Sequence, residues 1–78
     1  MMINELQWMQ LIAEEIKIYM KRRKFTQRDL ADKSGLSEVS ISRYLNCERL
    51  MSLKSAMNIA YALDVEVDAL INFEERIV

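Results

Sequence analysis

The sequence predicts an all-α fold, a compact five-helix domain. Three observations predict it. Zero prolines and a single glycine, Gly35, supply too few turns for an all-β chain. Apolar residues recur at helical spacing through most of the length. Asparagine, threonine or serine stands ahead of four of the periodic stretches, where a helix start needs a side-chain acceptor.

Each element has its own signal. Asn4 begins helix 1, with Gln7 three residues on, a capping-box pattern. Trp8, Ile12, Ile16 and Met20 then recur every fourth residue, with Leu11 and Tyr19 widening the buried stripe. Lys21, Arg22, Arg23 and Lys24 close the helix, where its dipole favours cations. Thr26 caps helix 2, with Asp29 at the third helical position, and Gly35 stops it. Ser37 caps helix 3, which runs to about Asn46, and residues 47–51 form a loop. Ser52 caps helix 4, whose inner face is Ala56, Ile59, Ala60 and Leu63; Asp64 and Val65 break it. Helix 5 carries Val67, Leu70 and Ile71 on one face, with Phe73 off that face. Met20 and Met57 are expected in the core. At 78 residues this is one domain over 1–78, with 1–11 extending helix 1 and 74–78 a tail. A chain of this size buries only about 60% of its unfolded surface, so marginal stability is expected.

Residues 27–46 carry most of the information. Two short helices share a very tight turn, the helix-turn-helix arrangement of helices 2 and 3. The spacing has a physical reason at each point. Ala31 is small where helix 3 crosses helix 2. Gly35 enters the left-handed backbone without a Cβ penalty. Ile41 plugs helix 3 onto the core together with Leu30, Leu36 and Leu45. With Ile41 and Leu45 inward, Glu38, Val39, Ser42, Arg43 and Asn46 form the outward stripe of helix 3.

From about residue 12 to 73 the chain resembles the lambda-repressor-like (Cro/repressor-type, XRE) helix-turn-helix family. The matching residues are Phe25-Thr26-Gln27, Leu30-Ala31, Ser34-Gly35-Leu36-Ser37 and Ile41-Ser42-Arg43-Tyr44-Leu45-Asn46. Ser52-Leu53-Lys54, Ile59-Ala60, Ala62-Leu63, Val65, Val67-Asp68 and Leu70 continue the match. The resemblance implies sequence-specific binding to double-stranded DNA, usually as a homodimer on a palindromic operator. Three residues depart from the pattern. Cys47 stands where the family has Gly, which suggests that Asn46 takes the left-handed conformation instead. Met51 replaces a frequent Pro, which is expected to loosen the loop. Glu66 stands where an N-cap residue is common.

Charge distribution agrees with an anionic partner. The net charge is −1, yet residues 17–54 hold ten bases against four acids, while 1–16 and 55–78 are both acidic. Such asymmetry gives a positive face if the fold gathers the middle segment on one side; ordinary solvated helix faces are the other reading. Several classes are disfavoured. The chain has no histidine, no metal-ligand cluster and no phosphate-binding loop, so neither an enzyme nor a cofactor or metal is expected. The single cysteine, Cys47, suits a reducing compartment, and no apolar run spans a bilayer or marks a signal peptide. The expected location is the cytoplasm, at the nucleoid.

Helix 3 supplies the expected base contacts: Glu38, Val39, Ser42 and Arg43. Arg43 suits bidentate donation to guanine O6 and N7; a phosphate contact or a salt bridge to Glu38 is the alternative. Val39 suits a thymine methyl or a partly buried helix position. Glu38 accepts from a cytosine amino group or simply complements the helix dipole. Ser42 is short and permissive. The resemblance also selects Glu38, Val39 and Arg43, and adds Arg49 from the following loop. For phosphates it selects Gln27 at the start of helix 2, where backbone donors add to its amide; Arg28, Ser37, Asn46 and Lys54 are its companions. Two dimer surfaces are expected: helix 5 through Ile71 and Phe73, or the helix 1 extension through Trp8 and Met9. The overall expectation is a bacterial, phage or plasmid repressor, autoregulatory in one reading, with no second domain for sensing. The alternative is an antitoxin or a phage counter-defence-associated regulator that also binds a protein partner.

Overall fold

A computed structural model describes residues 4–71, and these form five helices: α1 (Glu5–Arg23), α2 (Gln27–Ser34), α3 (Glu38–Leu45), α4 (Leu53–Ala62) and α5 (Val67–Ile71). Phe73 and the tail from 74 to 78 lie outside the described residues, and so does the expected dimer contact through Phe73.

The helix starts are where the capping residues put them. Asn4 Oδ1 accepts the Gln7 N–H at 2.8 Å, and the Gln7 side chain accepts the Asn4 N–H at 3.1 Å. Thr26 and Asp29 make the same reciprocal pair at the start of α2. Ser37 and Ser52 accept the N–H groups of Ser40 and Ser55. Each bond satisfies one of the donors that a helix end leaves without a partner.

The helix ends differ from expectation in a consistent way. Gly35 is left-handed at φ +73°, as its place in the tight turn requires. Three residues that carry a Cβ also adopt positive φ: Lys24 at 59°, Cys47 at 58° and Asp64 at 56°. Each closes its helix with the paired bonds of a Schellman motif. After α1, Phe25 N–H reaches Met20 O (2.9 Å) and Lys24 N–H reaches Lys21 O. After α3, Glu48 N–H reaches Arg43 O (2.8 Å) and Cys47 N–H reaches Tyr44 O (3.2 Å). After α4, Val65 N–H reaches Ala60 O (3.0 Å) and Asp64 N–H reaches Tyr61 O (3.0 Å). The left-handed residue after α3 is therefore Cys47; Asn46, at φ −92°, is not.

The core is one cluster that draws on every helix. Ile16, Leu30, Ile41, Ile59, Leu63 and Leu70 are its fully buried large side chains, joined by Ile12, Met20, Tyr44, Leu45 and Met51. Helix α2 packs on α3 and α4, α1 on α3 and α5, and α4 on α5. Met51 is buried and so ties the loop before α4 to the core. Met57 is a second correction. It is 54% exposed, because Ala56, Ile59 and Ala60 already face the core from α4 and Met57 projects from the other side. No helix among the described residues is long and apolar enough to cross a membrane.

Candidate nucleic-acid interface

Helix α3 is two turns long and is held from one side only. Ile41, Tyr44 and Leu45 are buried. Glu38, Val39, Arg43 and Asn46 are exposed and Ser42 is half-buried, so the outward stripe has the orientation its spacing requires. Val39 is 60% exposed, which removes the partly buried alternative for that position. Among the described residues the salt bridge joins Arg23 to Asp64, so Glu38 does not engage Arg43. The Arg43 guanidinium is free to contact a ligand from an exposed position.

Local hydrogen bonds set the shape of this surface. Asn46 Nδ2 donates to Ser42 Oγ at 3.3 Å, tying the last two residues of the stripe together. The Ser37 hydroxyl donates to Ser40 Oγ at 2.9 Å while accepting the Ser40 N–H. That hydroxyl is therefore engaged in the cap. At Ser37 the free donors for an anion are main-chain groups of the first turn of α3, where the dipole also favours negative charge.

The other candidates surround α3. Gln27 is the first residue of α2 and is half-buried; Arg28 follows it and is exposed. Lys54 is the second residue of α4 and is exposed. Arg49 lies in the loop between α3 and α4, with its guanidinium 6.0 Å from the centroid of the Tyr44 ring. A cation over an aromatic face is attracted to it. Tyr44 is itself pinned, because its hydroxyl shares a 3.1 Å hydrogen bond with Ser55 Oγ, which also accepts from the cap residue Ser52.

Tyr44 has a role that spacing did not reveal. It lies three residues after Ile41 and so shares its face, the one signal available. The ring links the end of α3, the Arg49 loop and the start of α4. The bases at the end of α1 have other engagements. Arg22 lies 5.4 Å over the Tyr19 ring and Arg23 pairs with Asp64 at 3.6 Å. Lys33 of α2 lies 5.4 Å over the Phe25 ring.

Asp29 is held below the usual carboxylate range, chiefly because the Thr26 main-chain N–H donates to it. The Thr26 side chain adds to this, and Lys33 and Arg28 nearby contribute in the same direction. Its negative charge is spent on capping α2.

Two short helices at a tight turn, the second packed by one face and presenting Glu38, Val39, Ser42, Arg43 and Asn46 on the other, define a helix-turn-helix DNA-binding domain. Residues 15–76 match the family model of the Cro/C1-type HTH DNA-binding domain, and the chain belongs to that family. The five-helix architecture agrees with the lambda-repressor-like fold. Over 66 residues the chain is 33% identical to the uncharacterized HTH-type transcriptional regulator YqaE of Bacillus subtilis (strain 168), an alignment covering 85% of this chain. It spans 57% of that relative's length. No solved structure matches the chain.

Proposed function

We propose that this protein is a non-enzymatic transcriptional repressor that binds a palindromic operator as a homodimer, in the cytoplasm at the nucleoid. The observation that supports this best is the division of α3 into a buried face and an exposed, unpaired Arg43 on the opposite one.

In this reading the N-terminal part of α3 enters the major groove. Arg43 donates both guanidinium arms to guanine O6 and N7, which discriminates against other bases by about 1–3 kcal/mol. Val39 packs on a thymine methyl. Glu38 accepts from a cytosine amino group, which offsets its repulsion by phosphates. Ser42, tied to Asn46, tolerates several bases, and Arg49 reaches the groove or the backbone from its place over Tyr44. Gln27, Arg28, Asn46 and the main chain at Ser37 hold phosphates and so fix the register. Two such domains read half-sites about 34 Å apart and exclude polymerase from the promoter.

Fluorescence anisotropy tests the reading, with the duplex upstream of the protein's own gene beside a scrambled duplex. The upstream duplex should bind more tightly, and log affinity should fall linearly with log salt, the slope counting phosphate contacts. Arg43→Ala should erase about tenfold or more of the preference between duplexes, whereas Gln27→Ala should weaken both alike. Absence of binding to any duplex at low salt would refute the proposal.

A further inference from the structure

Helix α4 has an apolar stripe on the side away from the core. Leu53, Met57 and Tyr61 are 66%, 54% and 84% exposed. Four-residue spacing places them one above another on a single side of the helix. Beside Met57 and Tyr61 lies a surface cleft between α4 and α5, with Ala60, Val65 and Val67 in its wall and Glu66 and Asp68 at its edge. Exposed apolar residues scattered singly need no explanation, but three in register on one side of a helix, two of them lining a cleft, mark an interaction surface.

The charges on this face are arranged end to end. Exposed Lys54 stands beside Leu53 at the start of the helix. Exposed Glu66 and Asp68 stand at the far end, beyond Asp64, which pairs with Arg23 of its own chain. A face that is basic at one end and acidic at the other complements itself when a copy is turned around. A two-fold axis makes that arrangement, since each contact from residue i to j is repeated from j to i.

We propose that this face joins a second copy of the chain by antiparallel pairing of the two α4 helices, with the two-fold axis at Met57. The proposal rests on the homodimer of the reading above and names its surface. Met57 meets the partner's Met57, and Leu53 meets the partner's Tyr61. Lys54 comes opposite the partner's Ala60, beside the cleft whose edge carries the partner's Glu66 and the partner's Asp68. Parallel pairing would stack Lys54 on its own copy and the acids on theirs. A slip of one helical turn leaves one of the three apolar residues unmatched. In the helix 1 extension Leu6 is 52% exposed, but the residues named there and on helix 5 are less free. Ile71 and Trp8 both pack against the core, and Met9 is half-buried.

The interface is small beside the roughly 1,600 Å² of a standard complex, so the free protein should pair weakly, in the micromolar range or above. Sedimentation velocity on the whole chain without DNA, from micromolar to millimolar concentration, tests it. Wild type should shift from monomer to dimer. Met57→Asp sets two carboxylates against each other at the axis and should weaken pairing by about tenfold or more. Its circular dichroism and melting temperature should stay near wild type, because residue 57 is outside the core. Lys54→Glu should also weaken pairing, and adding Glu66→Lys and Asp68→Lys should restore it. A wild type that stays monomeric to millimolar concentration would overturn the proposal and leave the face to another protein. So would Met57→Asp pairing as wild type does, or a charge reversal that restores nothing. These readouts contain no DNA, so loss of operator binding, the failure of the functional reading, is observed separately.

Discussion

The turn after α3 gives the sharpest test of how this chain ends its helices. Cys47 has φ +58° and is half-buried. A left-handed backbone costs a residue bearing a Cβ about 1–2 kcal/mol, and glycine escapes that cost. Cys47→Gly also removes the thiol, so the clean comparison is with Cys47→Ala, which loses the thiol and keeps the Cβ. Inside a helix alanine is more stabilising than glycine by about 1 kcal/mol. At a left-handed position the order reverses. Cys47→Gly should therefore be more stable than Cys47→Ala by about 1 kcal/mol once glycine's greater freedom in the unfolded chain is subtracted. In a domain of this size that is a difference of roughly 4–8 °C in melting temperature. Thermal and urea unfolding, followed by far-ultraviolet circular dichroism, would measure it. Equal stability, or alanine above glycine, would refute the account of this turn. The same turn directs the chain towards Arg49, so Cys47→Gly can also be tested for DNA affinity.

Other elements support three more perturbations. Gly35→Ala should cost about 1 kcal/mol from backbone strain alone, since a Cβ there would have no atom within 4 Å; Gly35→Asn should cost less in the same urea titration, and no loss in either would count against a required left-handed turn. Asp29 has a lowered folded-state pKa, so its stabilisation is present above the ordinary carboxylate range and is lost as pH falls through that lowered value. Asp29→Asn should accordingly lower the midpoint of urea unfolding at pH 7 and flatten its decline below about pH 4; parallel pH profiles for the two proteins would argue against the capping account. Tyr44→Phe should cost about 1 kcal/mol by removing the hydroxyl bonded to Ser55, which retains its bond from Ser52. A rise in stability would show that the buried hydroxyl is a net penalty.

Helix starts were legible because each depends on two residues three apart. Asn4 with Gln7, Thr26 with Asp29, and the serines at 37 and 52 carry their partners in the adjacent sequence. Helix ends were less so. Gly35 announces its conformation, but Lys24 and Asp64 are forced into it because the next residues, Phe25 and Val65, pack against the core. Residue type alone pointed to Asn46, and the hydrogen bonds to Arg43 and Tyr44 selected Cys47. Met57 was misplaced for a related reason. An apolar residue beside Ala56 reads as core until the direction of the whole helix is fixed by Ile59, Ala60 and Leu63. On the candidate interface, the outward stripe followed from Ile41 and Leu45. The position of Arg49 did not, since its guanidinium lies 6.0 Å from the ring of Tyr44, a residue outside its own loop.

The length of α3 explains why its two faces can be separated in experiment. Eight residues would not stay helical in water unaided, because so short a helix is marginal. This one is fixed at its start by Ser37, at its end by the turn at Cys47, and along its inner side by Ile41, Tyr44 and Leu45. All of those restraints lie off the outward stripe. In the proposed reading, changing Glu38, Val39 or Arg43 would therefore remove a contact to DNA while leaving cap, turn and core in place. Changing Ile41 or Leu45 would disturb the element that carries every one of those contacts. A loss of discrimination at constant melting temperature in Arg43→Ala is then attributable to the guanidinium itself, and not to a helix that has moved.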